Sequence, residues 1–159
     1  MLVKVKASDF KFIYELYMNP EVNPYLLYEI MNSENFIPIF NDLLKDDVLY
    51  LYKGDSETIG MCKLIQQKHR NNHIMYLGGV AIHPDYFGKG FGKKMMLEII
   101  DFCKNKSVSR IELSVDTNNE KAIQLYESVG FLKEGILKNY TFLKSKNKYI
   151  DEQIMSNLI

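Results

Sequence analysis

An excess of charge of one sign is missing from this sequence. Twenty basic residues balance twenty acidic ones, so no overall field draws in nucleic acid or an anionic membrane, and any anion site has to be local. Long hydrophobic runs are missing too. No stretch approaches the ~20 apolar residues that span a bilayer, and Met1-Leu2-Val3-Lys4-Val5-Lys6 alternates where a secretory leader would be continuously apolar, so a cytoplasmic location is expected. Cysteine is scarce: Cys62 and Cys103 lie far apart without Cys-x-x-Cys spacing, which favours two buried thiols over a redox pair. The three histidines, His69, His73 and His83, lack the spacing of a zinc or metalloprotease motif, and no metal is expected. Repeats and linkers are absent. What remains is ordinary globular material: 159 residues, 47% hydrophobic and 25% charged, read as a single domain over 1–159. At that size folding removes roughly 68–70% of the unfolded chain's surface, enough for a core without disulfide or metal staples.

Hydrophobic periodicity supplies the elements. Leu2 to Lys6 reads as a short strand, and Ser8-Asp9 can cap a helix that carries Phe10, Ile13, Tyr14 and Tyr17 on one face until Asn19-Pro20 ends it. The aromatic and acidic segment from Glu21 to Asn35 is compatible with either loop or helix. Ser33 is the expected cap of a helix through about Leu44, with Pro38 disturbing its early part. Val48 to Tyr52 and Thr58 to about Gln67 form strands around the turn Gly54-Asp55-Ser56. A third strand, His73 to Ile82, contains the pair Gly78-Gly79. Then come a helix over about Gly90 to Asn105, a strand over Arg110 to Val115, a helix over Asn119 to Val129, and two strands near Phe131–Leu137 and Tyr149–Met155. Hairpins at both ends with a strand–helix alternation between them predict a mixed sheet flanked by helices, with two central strands parallel. Ligands in such sheets bind at the carboxyl ends of strands where neighbours diverge, which directs attention to residues 80 to 93.

There, three alternate glycines, Gly88, Gly90 and Gly92, stand between a strand and a helix, interleaved with Lys89, Phe91 and Lys93. Without Cβ atoms the loop lets a ligand approach its backbone N–H groups, and the helix N-terminus adds about half a positive charge. Phosphate is the natural occupant; a flexible turn with solvated lysines is the bland alternative. A dinucleotide fingerprint would need glycine where Lys93 stands, and no Gly-Lys-Ser/Thr follows as in a P-loop, so a nucleotide-dependent oxidoreductase is remote.

Val80-x-Ile82-x-Pro84 followed by Gly88-x-Gly90-x-Gly92 resembles the acetyl-CoA-binding signature of the GCN5-related N-acetyltransferase (GNAT) superfamily, with Phe87 where Gln or Arg is usual. A second motif, Asn119-x-x-Ala122-x-x-x-Tyr126-x-x-x-Gly130-Phe131, is similar to the one that follows in that superfamily. The resemblance implies a mostly antiparallel twisted sheet with a central parallel pair splayed by a bulge at Gly78-Gly79. It implies that amides from Gly88 to Lys93 hold a pyrophosphate, that main chain near Val80 and Ile82 pairs with the pantetheine arm, and that Asn119 touches the cofactor as well as capping its helix. Tyr126 would protonate the departing thiolate. A phenol of reference pKa ~10 stays protonated at neutral pH yet lies close enough to a thiol's ~8.5 to donate; a core aromatic is the alternative.

Some base would help an amine of pKa ~10.4 lose its proton. Histone-modifying members of the superfamily carry glutamate where this sequence has Tyr76, which is left to touch the substrate, order water, or simply pack. Glu29 and Glu34 are candidates for binding a cationic amine. The C-terminal part, Gly130 to Gly135 and Lys148 to Met155, is similar to the branch of spermidine and ribosomal-protein N-terminal acetyltransferases. The resemblance therefore implies an acetyl-CoA-dependent N-acetyltransferase acting on a primary amine of a small molecule or peptide; the balanced charge argues against a nucleic acid or membrane partner, and a homodimer is left open. A non-catalytic acyl-CoA-binding sensor of the same fold is the alternative.

Overall fold

The structure, a computed structural model describing residues 1–159, is built on one seven-stranded sheet. In chain order the strands are β1 (Leu2–Lys4), β2 (Leu49–Lys53), β3 (Thr58–Gln66), β4 (Ile74–Ile82), β5 (Arg110–Asp116), β6 (Leu132–Leu143) and β7 (Lys148–Leu158). They lie side by side as β1-β2-β3-β4-β5-β7-β6. Every neighbouring pair is antiparallel except β4 and β5. That parallel pair requires a crossover, made by α4 (Phe91–Lys104). The mixed sheet read from the sequence, mostly antiparallel with one central parallel pair, is the observed one.

Side chains alternate across the strands, and each face of the sheet has its own core. On one face Leu77, Ile111, Leu113 and Met155 meet the stripe Met95, Met96, Ile99, Ile100 and Cys103 of α4 and Ile123 and Tyr126 of α5 (Glu120–Glu127). On the other, Leu49, Leu51, Met61 and Ala81 meet Ile13, Leu16 and Tyr17 of α1 (Phe10–Met18) and Phe36 and Phe40 of α3 (Ser33–Lys45). Both cysteines are free and buried, and burial pushes both thiols up, Cys103 to about 11, which keeps them protonated and inert.

Four local expectations are settled or changed. The ambiguous segment after α1 contains one short helix, α2 (Asn23–Leu26), which ends on Leu27 at φ +56°. The cap of α3 is Asn32, whose side chain accepts from the Asn35 amide at 2.9 Å, rather than Ser33; α3 then runs straight through Pro38, giving up the single bond that the Glu34 carbonyl would accept. Asp9 stands at the N-cap of α1 as expected, but its carboxylate accepts from the Lys6 amide at 2.7 Å, so it closes the preceding turn and makes no side-chain bond to that helix. The last two strands are also longer than predicted, because β6 is an edge strand exposed along most of its length and shows no two-residue alternation to read.

The feature that positions the site is a defect. Along β3 and β4, Met61 pairs with Ala81 but Lys63 pairs with Gly78, so Cys62 faces two residues, Gly79 and Val80. This is a β-bulge, and it twists the bulged strand. Gly79 takes φ +54°, which only glycine adopts cheaply. On the other side of β4, pairing with β5 runs Ile74↔Arg110, Met75↔Ile111, Tyr76↔Glu112 and stops. From Leu77 onward the two strands diverge, as the glycine pair suggested.

Phe36 is fully buried (0% exposed) against the α1 aromatics Phe10, Tyr14 and Tyr17. Phe36→Ala is expected to cost about 3–5 kcal/mol, read as a lower urea midpoint with unchanged slope.

Candidate active site

Two cavities meet where β4 and β5 part. The larger, about 740 Å³, runs from Val80 and Ile82 to the glycine loop. The smaller, about 290 Å³, lies over the sheet at Lys63, Tyr76, Ser114 and Glu152. Five residues line both: Tyr25, Val80, Asn119, Ala122 and Tyr126.

The loop's conformation explains its glycines. Gly88 and Gly90 sit at φ +72° and +77°, and a Cβ on either would meet no protein atom within 4 Å. These glycines serve an open surface. Gly92 is different, since a Cβ there would come within 3.3 Å of Leu125, so its bareness lets α4 pack on α5. Gly90 caps α4 without any side-chain bond, and the six N–H groups from Gly88 to Lys93 donate to no acceptor in the chain. Six free donors at the positive end of a fourteen-residue helix suit a polyanion such as a pyrophosphate. Among the side chains, Phe87 and Phe91 line this cavity. Those of Lys89 and Lys93 line neither; Lys89 donates to the Asp85 carbonyl at 2.8 Å. The loop's contribution is backbone.

Asn119 caps α5, its Oδ1 accepting from the Ala122 amide at 3.2 Å, so the amide NH₂ is what it retains to offer the cavities. Tyr126 is buried on α5, and its hydroxyl makes no hydrogen bond within the chain. Burial pushes its phenol well above the ordinary value, reinforced by Tyr76 nearby, so it is fully protonated at neutral pH.

The smaller cavity holds a chain of hydroxyls whose polarity can be deduced. Glu152, 5% exposed, accepts from Thr141 Oγ1 at 2.5 Å and from Ser114 Oγ at 2.5 Å. A serine hydroxyl has one proton. With that proton directed at Glu152, the 3.0 Å contact between Tyr76 and Ser114 has Tyr76 as donor. The Tyr76 oxygen therefore retains its lone pairs for whatever enters. Burial is the largest influence on this phenol and pushes it up. Register explains the assembly: Tyr76 pairs with Glu112, two residues before Ser114, and Asp116 pairs with Glu152, so Tyr76, Ser114, Asp116 and Glu152 share one face.

Of the residues singled out from sequence, Tyr76, Val80, Ile82, Phe87, Gly88, Gly90, Phe91, Gly92, Asn119 and Tyr126 converge on these cavities. Glu29 and Glu34 do not. Glu29 accepts from the Ser145 amide at 3.1 Å, tying the segment before α3 to the β6–β7 turn, and Glu34 is exposed in the first turn of α3. Sequence reasoning missed Lys63, Ser114, Thr141 and Glu152. The one available signal was Lys63, a charge inside the apolar strand Met61-Cys62-Lys63-Leu64-Ile65.

The sequence matches the Acetyltransferase (GNAT) family over residues 10–131. The chain belongs to that family. It is an N-acetyltransferase, and acetyl-CoA is its cosubstrate. Among its relatives is the L-amino acid N-acetyltransferase AaaT of Escherichia coli, 30% identical over 65% of this chain and 64% of that protein. The fold is shared with solved structures that include spermidine N-acetyltransferase from Vibrio cholerae in complex with CoA and spermine, at TM-score 0.83 and 24% identity over 99% of this chain and 94% of that one, and ribosomal-protein-alanine N-acetyltransferase from Brucella melitensis, at TM-score 0.78 and 17% identity over 100% and 99%. The free amides and the open cradle fit the coenzyme's diphosphate. No helix of this GNAT chain is long and apolar enough to cross a membrane.

Ser114 joins Tyr76 to Glu152, so Ser114→Ala leaves a buried carboxylate short of a donor. A loss of roughly 1–3 kcal/mol is expected, measurable by chemical denaturation.

Proposed function

We propose that residues 1–159 act as one N-acetyltransferase domain that acetylates a primary amine of a small molecule or peptide, with acetyl-CoA in the larger cavity and the amine in the smaller. The observation that carries this reading is the seam between the cavities, where Tyr126 borders both. In this reading the amides of Gly88, Lys89, Gly90, Phe91, Gly92 and Lys93 bind the diphosphate, Phe87 flanks it, and the main chain of Val80 and Ile82, unpaired toward β5, receives the pantetheine arm as an added strand would be received. Asn119 donates from its amide. Bound there, acetyl-CoA supplies an acyl group already activated as a thioester.

The chain's own residues then handle two protons. An ammonium group of pKa ~10.4 must lose one before its nitrogen can attack. Tyr76, its lone pairs facing the cavity, accepts a hydrogen bond from that nitrogen, and the chain Tyr76–Ser114–Glu152 offers the proton a path to a carboxylate. This supplies what the missing strand glutamate left open. At the seam Tyr126 gives its proton to the departing sulfur. Its raised pKa does not spoil the match, because the same burial raises the thiol's. A direct transfer through both ligands bound together fits two adjoining cavities and two inert cysteines. The relatives differ in acceptor, an L-amino acid for one protein and spermidine for another.

Tyr126→Phe is expected to lower kcat at least tenfold while acetyl-CoA affinity stays within about twofold; unchanged turnover removes Tyr126 from the acid role. Gly90→Ala places a methyl group in the open cradle and strains a positive φ at a cost of about 1–2 kcal/mol. Calorimetry should show acetyl-CoA affinity down roughly tenfold, and undiminished affinity would contradict the amide cradle.

A further inference from the structure

Lys63 is a cation without a partner. It is half-buried on β3 and lines the smaller cavity, and its ammonium takes part in no salt bridge or side-chain hydrogen bond of the chain. Its stem lies across the bulge: a Cβ on Gly79 would come within 3.2 Å of Lys63 Cε, and one on Gly78 within 3.5 Å. The glycine pair thus also clears the course of this side chain. Its ammonium stands 5.9 Å from the centre of the Tyr28 ring, and burial lowers its pKa, the mark of a charge removed from water without a counter-ion. Beside the same bulge the hydroxyl of Tyr17, a residue 1% exposed, has no hydrogen-bond partner and lies 3.6 Å from the position of that Gly79 Cβ.

The carboxylates of the cavity are elsewhere and already engaged. Asp116 accepts from the Asn118 backbone at 2.8 Å and its side chain at 3.0 Å, and Glu152 accepts from Ser114 and Thr141. Both lie across the sheet from Lys63, on β5 and β7, two and three strands away, so at least roughly 10 and 14 Å at ~4.8 Å per paired strand, and further where β4 and β5 diverge. The cavity therefore has an electropositive end at β3 and an electronegative side at β5 and β7, with the Tyr76 lone pairs between them.

We propose that Lys63 is a specificity residue that binds a carboxylate of the acceptor, so that the preferred substrate is an amine carrying its own carboxylate, an amino acid, rather than a polyamine. This rests on the smaller cavity being the acceptor site. A polyamine would bring further positive charge toward an unneutralised ammonium; an amino acid presents its amine to Tyr76 and its anion to Lys63. The cavity volume of about 290 Å³ suits so small an acceptor.

Thiol release from acetyl-CoA by the whole protein tests this with three acceptor sets: α- and ω-amino acids, the carboxamides of the same compounds, and spermidine. The expected result is a kcat/KM at least tenfold higher for a free carboxylate than for its carboxamide, expressed mainly in KM, with spermidine poorer still. Lys63→Met should bring the carboxylate-to-carboxamide ratio to near one, and Lys63→Arg should retain most of it. Equal use of carboxylates and carboxamides by the wild-type protein, a preference for spermidine, or a ratio unmoved in Lys63→Met overturns the role of Lys63 while leaving acetyl transfer intact. The wild-type comparison decides even if a variant fails to fold. No release with any amine, although calorimetry finds acetyl-CoA bound, instead defeats the reading of the cavity itself, and this inference with it.

Discussion

Two parallel strands that begin as hydrogen-bonded neighbours and then separate are what the rest of this molecule depends on. The last bonded register is Tyr76 with Glu112; beyond it β4 continues on its other edge with β3, through a bulge that places two residues opposite Cys62. A strand with one satisfied edge and one open edge inside a sheet would ordinarily carry unpaired polar backbone at a real cost. Here the open edge faces a cavity. Both cavities, and the helix that borders them, are arranged around that gap.

The bulge serves three ends through the same two glycines. Positive φ at Gly79 sets the twist. The absence of side chains at Gly78 and Gly79 leaves the course of Lys63 open. The displaced register sends Val80 to the seam between the cavities. One face of the sheet then gathers groups from four strands: Lys63 on β3, Tyr76 on β4, Ser114 on β5 and Glu152 on β7. None is near another in sequence, and only the strand order β3-β4-β5-β7 makes them neighbours.

That topology is why the two halves of the site were unequally legible in the sequence. The glycine loop, the Asn119 cap and Tyr126 belong to contiguous motifs, in which a strand leads into a bare loop and a helix start, so local spacing carries the chemistry. The stripe of α4 and the parallel pair were readable for the same reason. The hydroxyl network was not, because Ser114 and Glu152 are 38 residues apart and each looks like ordinary strand material in its own segment. Glu29 and Glu34 offer only their charge and their place in the N-terminal segment as signals, and tertiary structure engages Glu29 with the Ser145 amide and leaves Glu34 exposed. Asn32 took the cap from Ser33 because either short polar side chain can serve, and which one does so depends on the angle at which the chain enters α3.

Asn119, Tyr126, Val80, Ala122 and Tyr25 belong to both cavities at once, whereas Lys63, Thr141 and Glu152 border one and the loop glycines the other. A change of acceptor preference can therefore accumulate on the strand face without disturbing how the thioester is held. The shared five have no such freedom, since any replacement is felt by both ligands. Within this fold, diversification is channelled toward the edges of the cleft, and its hinge line is the part that evolution can least afford to repaint.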